Sequence, residues 1–276
     1  MNTEDRRHRS PARFIGLTFA LAVPFWVLGA VVKTPDGAPV RLPLSALQFV
    51  TPLVAASILV YREDGSRGLR RFLRRLVDAG RAPSWRKYGL IVVVMPAVYA
   101  IGYFVMLGTG RPLPDPMISL ASIAVLLILF FVSAVFEEGG WTGYALDPLQ
   151  DRWGMVRAAL VLGLVWTVFH LVADLQGGHE LGWILWHRMG SVALRVLLVC
   201  AYNVTGKGML AVLLMHTMDN VSWQLFPNSG SHYDPAFVAP ITVAAAVVGV
   251  VWSIRLLSRS GSDATSVPQV PQSSQA

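Results

Sequence analysis

The sequence predicts an all-α membrane protein, a polytopic bundle of about eight transmembrane helices. Apolar residues make up 54% of the 276 residues and charged residues only 14%, whereas soluble domains have roughly 25% charged residues. The apolar residues fall into runs of about 20, the length that a helix needs to cross a bilayer. Only α-helices and closed β-barrels satisfy all backbone hydrogen bonds in hydrocarbon. These runs lack the period-two alternation of a β-barrel, so they are predicted to be helices. Soluble globular, disordered, collagen-like and disulfide-scaffold proteins are therefore excluded.

Eight apolar segments are predicted to span the membrane, separated by short polar or basic connections. Their approximate bounds are 14–32, 43–61, 88–108, 117–146, 157–175, 184–204, 208–226 and 236–257. The first segment is predicted to be an uncleaved anchor, because seven more follow it and no clear cleavage site is present. The chain thus divides into a basic amino terminus (1–13), a transmembrane domain (14–257) and a Ser-, Gln- and Pro-rich tail (258–276) that is predicted to be disordered.

The distribution of positive charge predicts the orientation. The formal net charge is +7, and the Lys and Arg residues lie mainly in the amino terminus and in the connection 62–87. The positive-inside rule then places both termini in the cytoplasm, and no nucleic-acid partner is expected. The stretch 67–77 has leucines and Phe72 on one face and arginines on the other, which favours a helix on anionic lipid over a protein-partner surface. The protein is therefore expected to be a multi-pass protein of the cell membrane, in contact with membrane lipids.

Ionisable side chains within the apolar segments are candidate functional residues, since each costs at least about 2.5–3.5 kcal/mol at the centre of a membrane helix. The fourth segment carries Glu137 and Glu138, the fifth His170, and the seventh His216 and Asn220. At 1.5 Å per residue, the first glutamate and both histidines lie roughly 12–20 Å from the cytoplasmic ends of their helices, so they can meet in one layer. His216 and Asn220 share a helix face. The two glutamates lie about 100° apart, so one should face the site and the other a neighbouring helix.

At these residues the chain resembles the CPBP intramembrane endopeptidases, also called the Abi or CAAX-protease family. The family pattern is EExxxR, FxxxH and HxxxN on successive core helices. It is matched in order by the two glutamates, by His170 with Trp166 in the aromatic place, and by His216 with Asn220. The similarity covers about residues 130–225. It implies an eight-helix bundle with a cavity that opens to the cytoplasm.

The sequence departs from the family at the arginine of the first motif. Thr142 occupies that position, one turn beyond Glu138, where a guanidinium would neutralise the carboxylate. We predict that Arg195, a cation well inside the sixth segment, takes its place. The alternative is that Arg195 snorkels to the outer membrane surface. The sequence leaves two roles open for Asp219: it could accept a hydrogen bond from a histidine, or it could contact another helix.

The resemblance implies an intramembrane metalloendopeptidase acting on a peptide or protein, which could itself be lipid-modified. The candidate catalytic residues are Glu137, Glu138, His170, His216 and Asn220. Glu137 is assigned as the general base for a water molecule, which His170 would position. His216 and Asn220 would stabilise the oxyanion. His170 and His216 are also candidate ligands of Zn²⁺, but the helix-borne HExxH motif is absent, so a metal-free acid/base set stays open.

Two alternative functions use the same residues. The first is a non-catalytic membrane protein of the same fold, in bacteriocin immunity or as a scaffold, and the missing arginine favours it. The second is a proton-coupled transporter, in which glutamates and histidines form a relay. A transporter predicts ionisable residues at several depths and symmetry between halves, whereas the sequence has a single layer and no internal repeat. A protease is therefore the favoured prediction.

Overall fold

The computed structural model describes residues 9–33, 42–116, 119–227 and 229–265, with side chains up to residue 259. The regular secondary structure of these residues is helical throughout, which confirms the all-α membrane bundle. The α-helices are α1 (Pro11–Val31), α2 (Thr51–Arg75), α3 (Trp85–Gly108), α4 (Leu120–Gly140), α5 (Asp147–Gln176), α6 (Leu181–Val204), α7 (Met209–Leu225) and α8 (Pro235–Thr265). A 3-10 helix, Leu44–Val50, leads into α2, and a π-helical segment, Trp141–Leu146, joins α4 to α5.

Each of the eight predicted segments corresponds to a helix of the described chain. Six helical stretches are long and apolar enough to cross a membrane, and one of them, Leu120–Gln176, has 57 residues and contains the fourth and fifth segments. The seventh segment forms α7, which has 17 residues and packs against α3 and α4. The protein is therefore a multi-pass membrane protein, and the cytoplasmic location of its termini stays a prediction.

Two glycines divide helices that are otherwise continuous. Gly154 in α5 has φ 75° and ψ 169°, and Gly65 in α2 has φ 67° and ψ −167°. Positive φ is strained for other residues but open to glycine. Gly154 therefore lets the chain turn back into the fifth span close to its predicted start, and Gly65 separates the second span from the basic stretch that follows.

The basic stretch after Gly65 packs against the bundle more closely than the sequence predicts. Phe72 and Leu76 are 5% and 6% exposed, whereas Leu73 is 43% exposed. Phe72 lies against the π-helical segment, since a Cβ on Gly143 would meet its ring at 3.4 Å. Half of the apolar face that was predicted to rest on lipid therefore packs on protein.

Close helix contacts hold the end of α4 in place. A Cβ on Gly139 would lie 2.7 Å from the Leu53 side chain, and one on Gly140 would lie 2.5 Å from the Pro52 carbonyl oxygen. Any larger residue there would force α2 away from α4, as at small-residue contacts between membrane helices. The glycine pair therefore seats the preceding two glutamates deep in the bundle.

The central helix of the bundle is α6, which packs on α5, α7 and α8. All of its residues from 193 to 202 are buried, including the single cysteine, Cys200. At the other end of the chain, α8 continues to Thr265, so the first residues of the segment 258–276 are helical where disorder was predicted. Residues 266–276 of that tail and residues 1–8 of the basic amino terminus lie outside the described residues.

Candidate active site

Four helices bring the predicted polar residues together. Glu137 and Glu138 lie near the end of α4, and His216 lies on α7; these side chains are 7%, 0% and 3% exposed. His170 on α5 is the most accessible member, with 21% of its side chain exposed. The single layer predicted from helix depths is thus a contiguous cluster, which α6 joins from the bundle centre.

Glu137 and His170 form the first part of the cluster. The indole Nε1 of Trp166 donates a hydrogen bond to Glu137 Oε2 at 3.0 Å, and His170 Nε2 lies 3.5 Å from the same oxygen. His170 Nδ1 lies 2.8 Å from the Trp166 carbonyl oxygen. Because a carbonyl can only accept, Nδ1 carries the hydrogen, and in a neutral ring Nε2 presents a lone pair towards the carboxylate. Two acceptors this close can share one proton or hold one water molecule.

Glu138 and His216 form the second part. Glu138 Oε2 accepts hydrogen bonds from Arg195 Nη1 and from Thr142 Oγ1, both at 2.6 Å. Its other oxygen lies 2.9 Å from His216 Nδ1. With three donors, one of them a cation, this carboxylate is fully occupied. His216 is thereby oriented with Nε2 as its remaining nitrogen, as in carboxylate–histidine pairs elsewhere. The two adjacent glutamates thus have different surroundings, as their helical spacing predicts.

Arg195 lies where the sequence predicts it, paired with Glu138. Its side chain is 0% exposed and forms the ion pair with Glu138. The guanidinium carbon also lies 4.4 Å from the centre of the Trp166 ring, within the range of a cation–π interaction. The alternative of snorkelling to the membrane surface is therefore wrong. Thr142 donates one hydrogen bond to the Glu138 carboxylate, and the positive charge beside it comes from Arg195 on α6.

Trp166 has a larger role than the sequence indicates. Its indole donates to Glu137, its ring faces Arg195, and its ring centre lies 4.9 Å from that of His170 and 5.7 Å from that of His216. The sequence marked it only as the aromatic residue of a motif. It thus links the two halves of the cluster.

The side chains of Asn220 and Asp219 do not take part in the hydrogen bonds that join the glutamates to the histidines. Asn220 lies one turn after His216 and is half-buried, and its side chain makes no hydrogen bond with the described part of the chain. Its side-chain amide is therefore available to a ligand but is not hydrogen-bonded to the other candidate residues. Asp219 interacts with the hydroxyl of Tyr99 on α3 and also electrostatically with His216, so the choice between its two predicted roles stays open.

A second polar group lies one turn beyond His170 and was not predicted. Arg188 Nε and Nη2 lie 2.7 and 3.0 Å from the two carboxylate oxygens of Asp174, and Nη2 is 2.8 Å from His187 Nδ1. The available signal was the i,i+4 spacing of His170 and Asp174, which places both on one face. This buried ion pair links α5 to α6 next to the cluster.

The donors of the cluster do not fit a zinc site. No group of three His, Cys, Asp or Glu side chains in the described chain is arranged to hold a metal ion, whereas zinc needs at least three protein ligands. Glu138 already accepts hydrogen bonds from Arg195, Thr142 and His216, so it is not free to act as a zinc ligand. Zn²⁺ binding by His170 and His216 stays a prediction without a matching ligand set.

Comparison with known proteins agrees with the motifs. The family model described as type II CAAX prenyl endopeptidase Rce1-like matches residues 119–222, which include all five candidate catalytic residues. The CAAX prenyl protease 2 of Methanococcus maripaludis is 24% identical over 169 residues. That alignment covers 58% of this chain and 61% of the relative, so the chain matches less than two thirds of that protein.

Proposed function

Because the chain belongs to the CPBP family of intramembrane endopeptidases, we propose that it is a CAAX-type intramembrane protease of the cell membrane. Its substrate is a peptide or protein in the membrane, and the nucleophile is a water molecule activated by Glu137. The observation that carries this proposal is the pairing of Glu137 with His170 beside a His216 that Glu138 and Arg195 hold in place.

Glu137 acts as the general base. A water molecule to one side of Glu137 Oε2 and His170 Nε2 would donate one hydrogen bond to each, because the two acceptors are 3.5 Å apart and both lie within reach of one water oxygen. The carboxylate takes a proton as the water oxygen bonds to the peptide carbonyl carbon. The same proton then passes to the leaving amine as the C–N bond breaks, which returns Glu137 to its starting state. Burial favours both steps, since electrostatic interactions are stronger away from bulk water.

His216 and Asn220 stabilise the oxyanion. His216 Nδ1 already donates to Glu138, so the ring must be an imidazolium to donate from Nε2 as well. Two carboxylates, Glu137 and Glu138, then balance the two cations Arg195 and His216, and Arg195 and Thr142 hold Glu138 in place. The Asn220 amide, which has no competing partner in the described chain, supplies a second donor. Glu138, Arg195 and Thr142 are thus positioning residues.

The Arg195–Glu138 pair also bears on the non-catalytic alternative. The missing arginine at Thr142 was the sequence feature that favoured an inactive relative of the same fold. A fully buried guanidinium 2.6 Å from Glu138 supplies the missing charge from α6. That reason for expecting an inactive protein is therefore removed.

Cleavage by the purified protein tests the proposal. We expect wild-type protein in proteoliposomes to cleave a peptide with a carboxy-terminal CAAX sequence, and His170→Ala to lose about 10²-fold or more in rate because the water loses one of its two acceptors. Farnesylated and unmodified peptides compared side by side show whether lipid modification is required. If wild type and His170→Ala are equally inactive on both peptides, the non-catalytic alternative is favoured.

Metal dependence is a separate prediction. Since the described donors do not form a zinc site, we expect purified wild-type protein to contain well under one zinc ion per chain. A metal chelator should leave its cleavage rate unchanged. Elemental analysis beside His170→Ala and His216→Ala checks this. One zinc per chain in wild type that is lost in both variants would contradict it and support the zinc prediction instead.

A further inference from the structure

Arg188 on α6 is a buried cation beside the candidate active site that the proposed mechanism does not use. Its ion-pair partner Asp174 follows His170 by four residues on one face of α5, so the guanidinium lies about one helical turn from His170. It is close enough to Glu137 and His170 for its charge to interact with both. Arg188 is only 9% exposed. It is therefore part of the interior around the site, unlike an arginine of the protein surface.

Asp174 orients the Arg188 guanidinium and leaves one of its nitrogens unused. Nε lies 2.7 Å from Asp174 Oδ2 and Nη2 lies 3.0 Å from Oδ1, so the carboxylate fixes one edge of the planar group. Nη1 makes no hydrogen bond with the described part of the chain, and it is not sealed inside the protein. It therefore offers two N–H groups to a ligand.

His187 supplies a second unused donor next to this guanidinium. Its Nδ1 lies 2.8 Å from Arg188 Nη2. Because a guanidinium can only donate, Nδ1 accepts this hydrogen bond, and the neutral ring carries its hydrogen on Nε2. Nε2 has no partner among the described residues, and 28% of the side chain is exposed. Trp183 packs against the imidazole, with 4.4 Å between the two ring centres. Arg188 and His187 thus present three free N–H groups.

The acceptor that best matches these donors is a carboxylate. A single carbonyl oxygen cannot use three N–H groups, whereas a carboxylate has two oxygens that each accept more than one hydrogen bond. Hydrogen bonds from a cation to a carboxylate are also about twice as strong as neutral ones. Asp174 holds the other edge of the guanidinium through Nε and Nη2, so it does not occupy Nη1. A second carboxylate at this position would therefore belong to a ligand.

We propose that Arg188 and His187 bind the carboxy-terminal carboxylate of the peptide substrate. The inference rests on the proposed function, because a CAAX sequence ends its chain and a bond cleaved in or just before it lies at most four residues from a free carboxylate. Four residues of α5 rise about 6 Å from His170 to Asp174, and Arg188 lies beyond the Asp174 side chain. Two or three extended residues span about 7–11 Å. The subsite therefore selects peptide bonds two or three residues from a chain end.

Binding measured without cleavage tests this subsite. The protein is full-length Glu137→Gln in nanodiscs, and the probe is a fluorescein-labelled, farnesylated CAAX peptide that ends in either a carboxylate or a carboxamide. We expect the carboxylate form to bind about tenfold or more tightly, as a charge-assisted hydrogen bond provides. Adding Arg188→Gln/Asp174→Asn should bring this ratio close to one, because both charges are removed together and no buried ion is left unpaired. His187→Ala should lower the ratio in part.

The matched control is Arg111→Gln/Asp234→Asn, which removes an ion pair of 3.4 Å with more exposed side chains. We expect this variant to keep the preference for the carboxylate. A purely structural ion pair between α5 and α6 would lower the unfolding temperature when it is removed but would leave the ratio unchanged. His187→Ala leaves that ion pair intact, so it tests the subsite even if the double variant at 188 and 174 is unstable.

The outcomes separate the subsite from the protease activity. Equal binding of the two peptides, no binding of either, or a preference that survives both Arg188→Gln/Asp174→Asn and His187→Ala would overturn the subsite. Cleavage of both peptides by wild type with the same kcat/KM would keep the protease and overturn the subsite. Preferred binding of the carboxylate form by a protein that cleaves neither peptide would support the subsite and contradict the proposed function.

Discussion

We expect Glu137→Gln to lower peptide hydrolysis about 10²–10⁴-fold, the range lost when a general base is removed, while the helical bundle stays folded. Glutamine keeps an oxygen that can accept from the Trp166 indole, which now donates to Glu137 at 3.0 Å. It cannot take a proton from water. The packing is therefore preserved and the base is lost. Initial rates in proteoliposomes and thermal unfolding of the same preparations measure the two effects.

Glu138→Gln is the matched control, since it makes the same change at the neighbouring residue. This carboxylate is the counter-charge of the fully buried Arg195, and breaking a buried ion pair from one side costs about 3–5 kcal/mol of unfolding free energy. We therefore expect a clear loss of thermal stability in Glu138→Gln and little in Glu137→Gln. Retained hydrolysis in Glu137→Gln would remove this residue from the role of base.

The second large effect is expected at Arg195. Arg195→Met removes the guanidinium that pairs with the buried Glu138 carboxylate, so it should cost about 3–5 kcal/mol of stability. Hydrolysis should fall to near background, because Glu138, which orients His216, is no longer held in place. Adding Thr142→Arg should recover most of both losses. The hydroxyl at position 142 already lies 2.6 Å from Glu138 Oε2, so an arginine there approaches the same carboxylate from the π-helical segment that follows α4. The shortened side chain at 195 leaves room for it.

A double-mutant cycle makes the test specific, because it compares wild type, the two single variants and the double variant Arg195→Met/Thr142→Arg. Thr142→Arg alone places two guanidinium groups against one carboxylate, so we expect it to be destabilised as well, and only the double variant to approach wild type. Unfolding temperature and cleavage rate are measured for all four. If the double variant is no better than Arg195→Met, Arg195 does not replace the arginine of the family motif.

Hydropathy alone was sufficient to locate the helices of the described chain, because about 20 apolar residues in a membrane protein have few alternatives to a helix. Hydropathy does not encode how helices are joined. The π-helical segment Trp141–Leu146 and the turn at Gly154 join two predicted spans into one helical stretch of 57 residues. They depend on backbone angles and on contacts such as that of Gly143 with Phe72. The basic stretch after Gly65 shows the same limit, since its arginine pattern cannot tell whether Phe72 packs on lipid or on protein.

In the candidate site, too, some features follow from the sequence alone and others depend on the packed structure. Helical rise and periodicity, which are local properties of the chain, determined that Glu137, His170 and His216 lie at one depth and that Glu137 and Glu138 face different directions. Which side chains pair depends on how each helix is rotated against its neighbours, and only the packed bundle decides that. Arg195 is long enough to reach either the membrane surface or the interior. Because residues 193–202 of α6 are buried on all sides, its guanidinium meets Glu138 and the Trp166 ring rather than lipid headgroups.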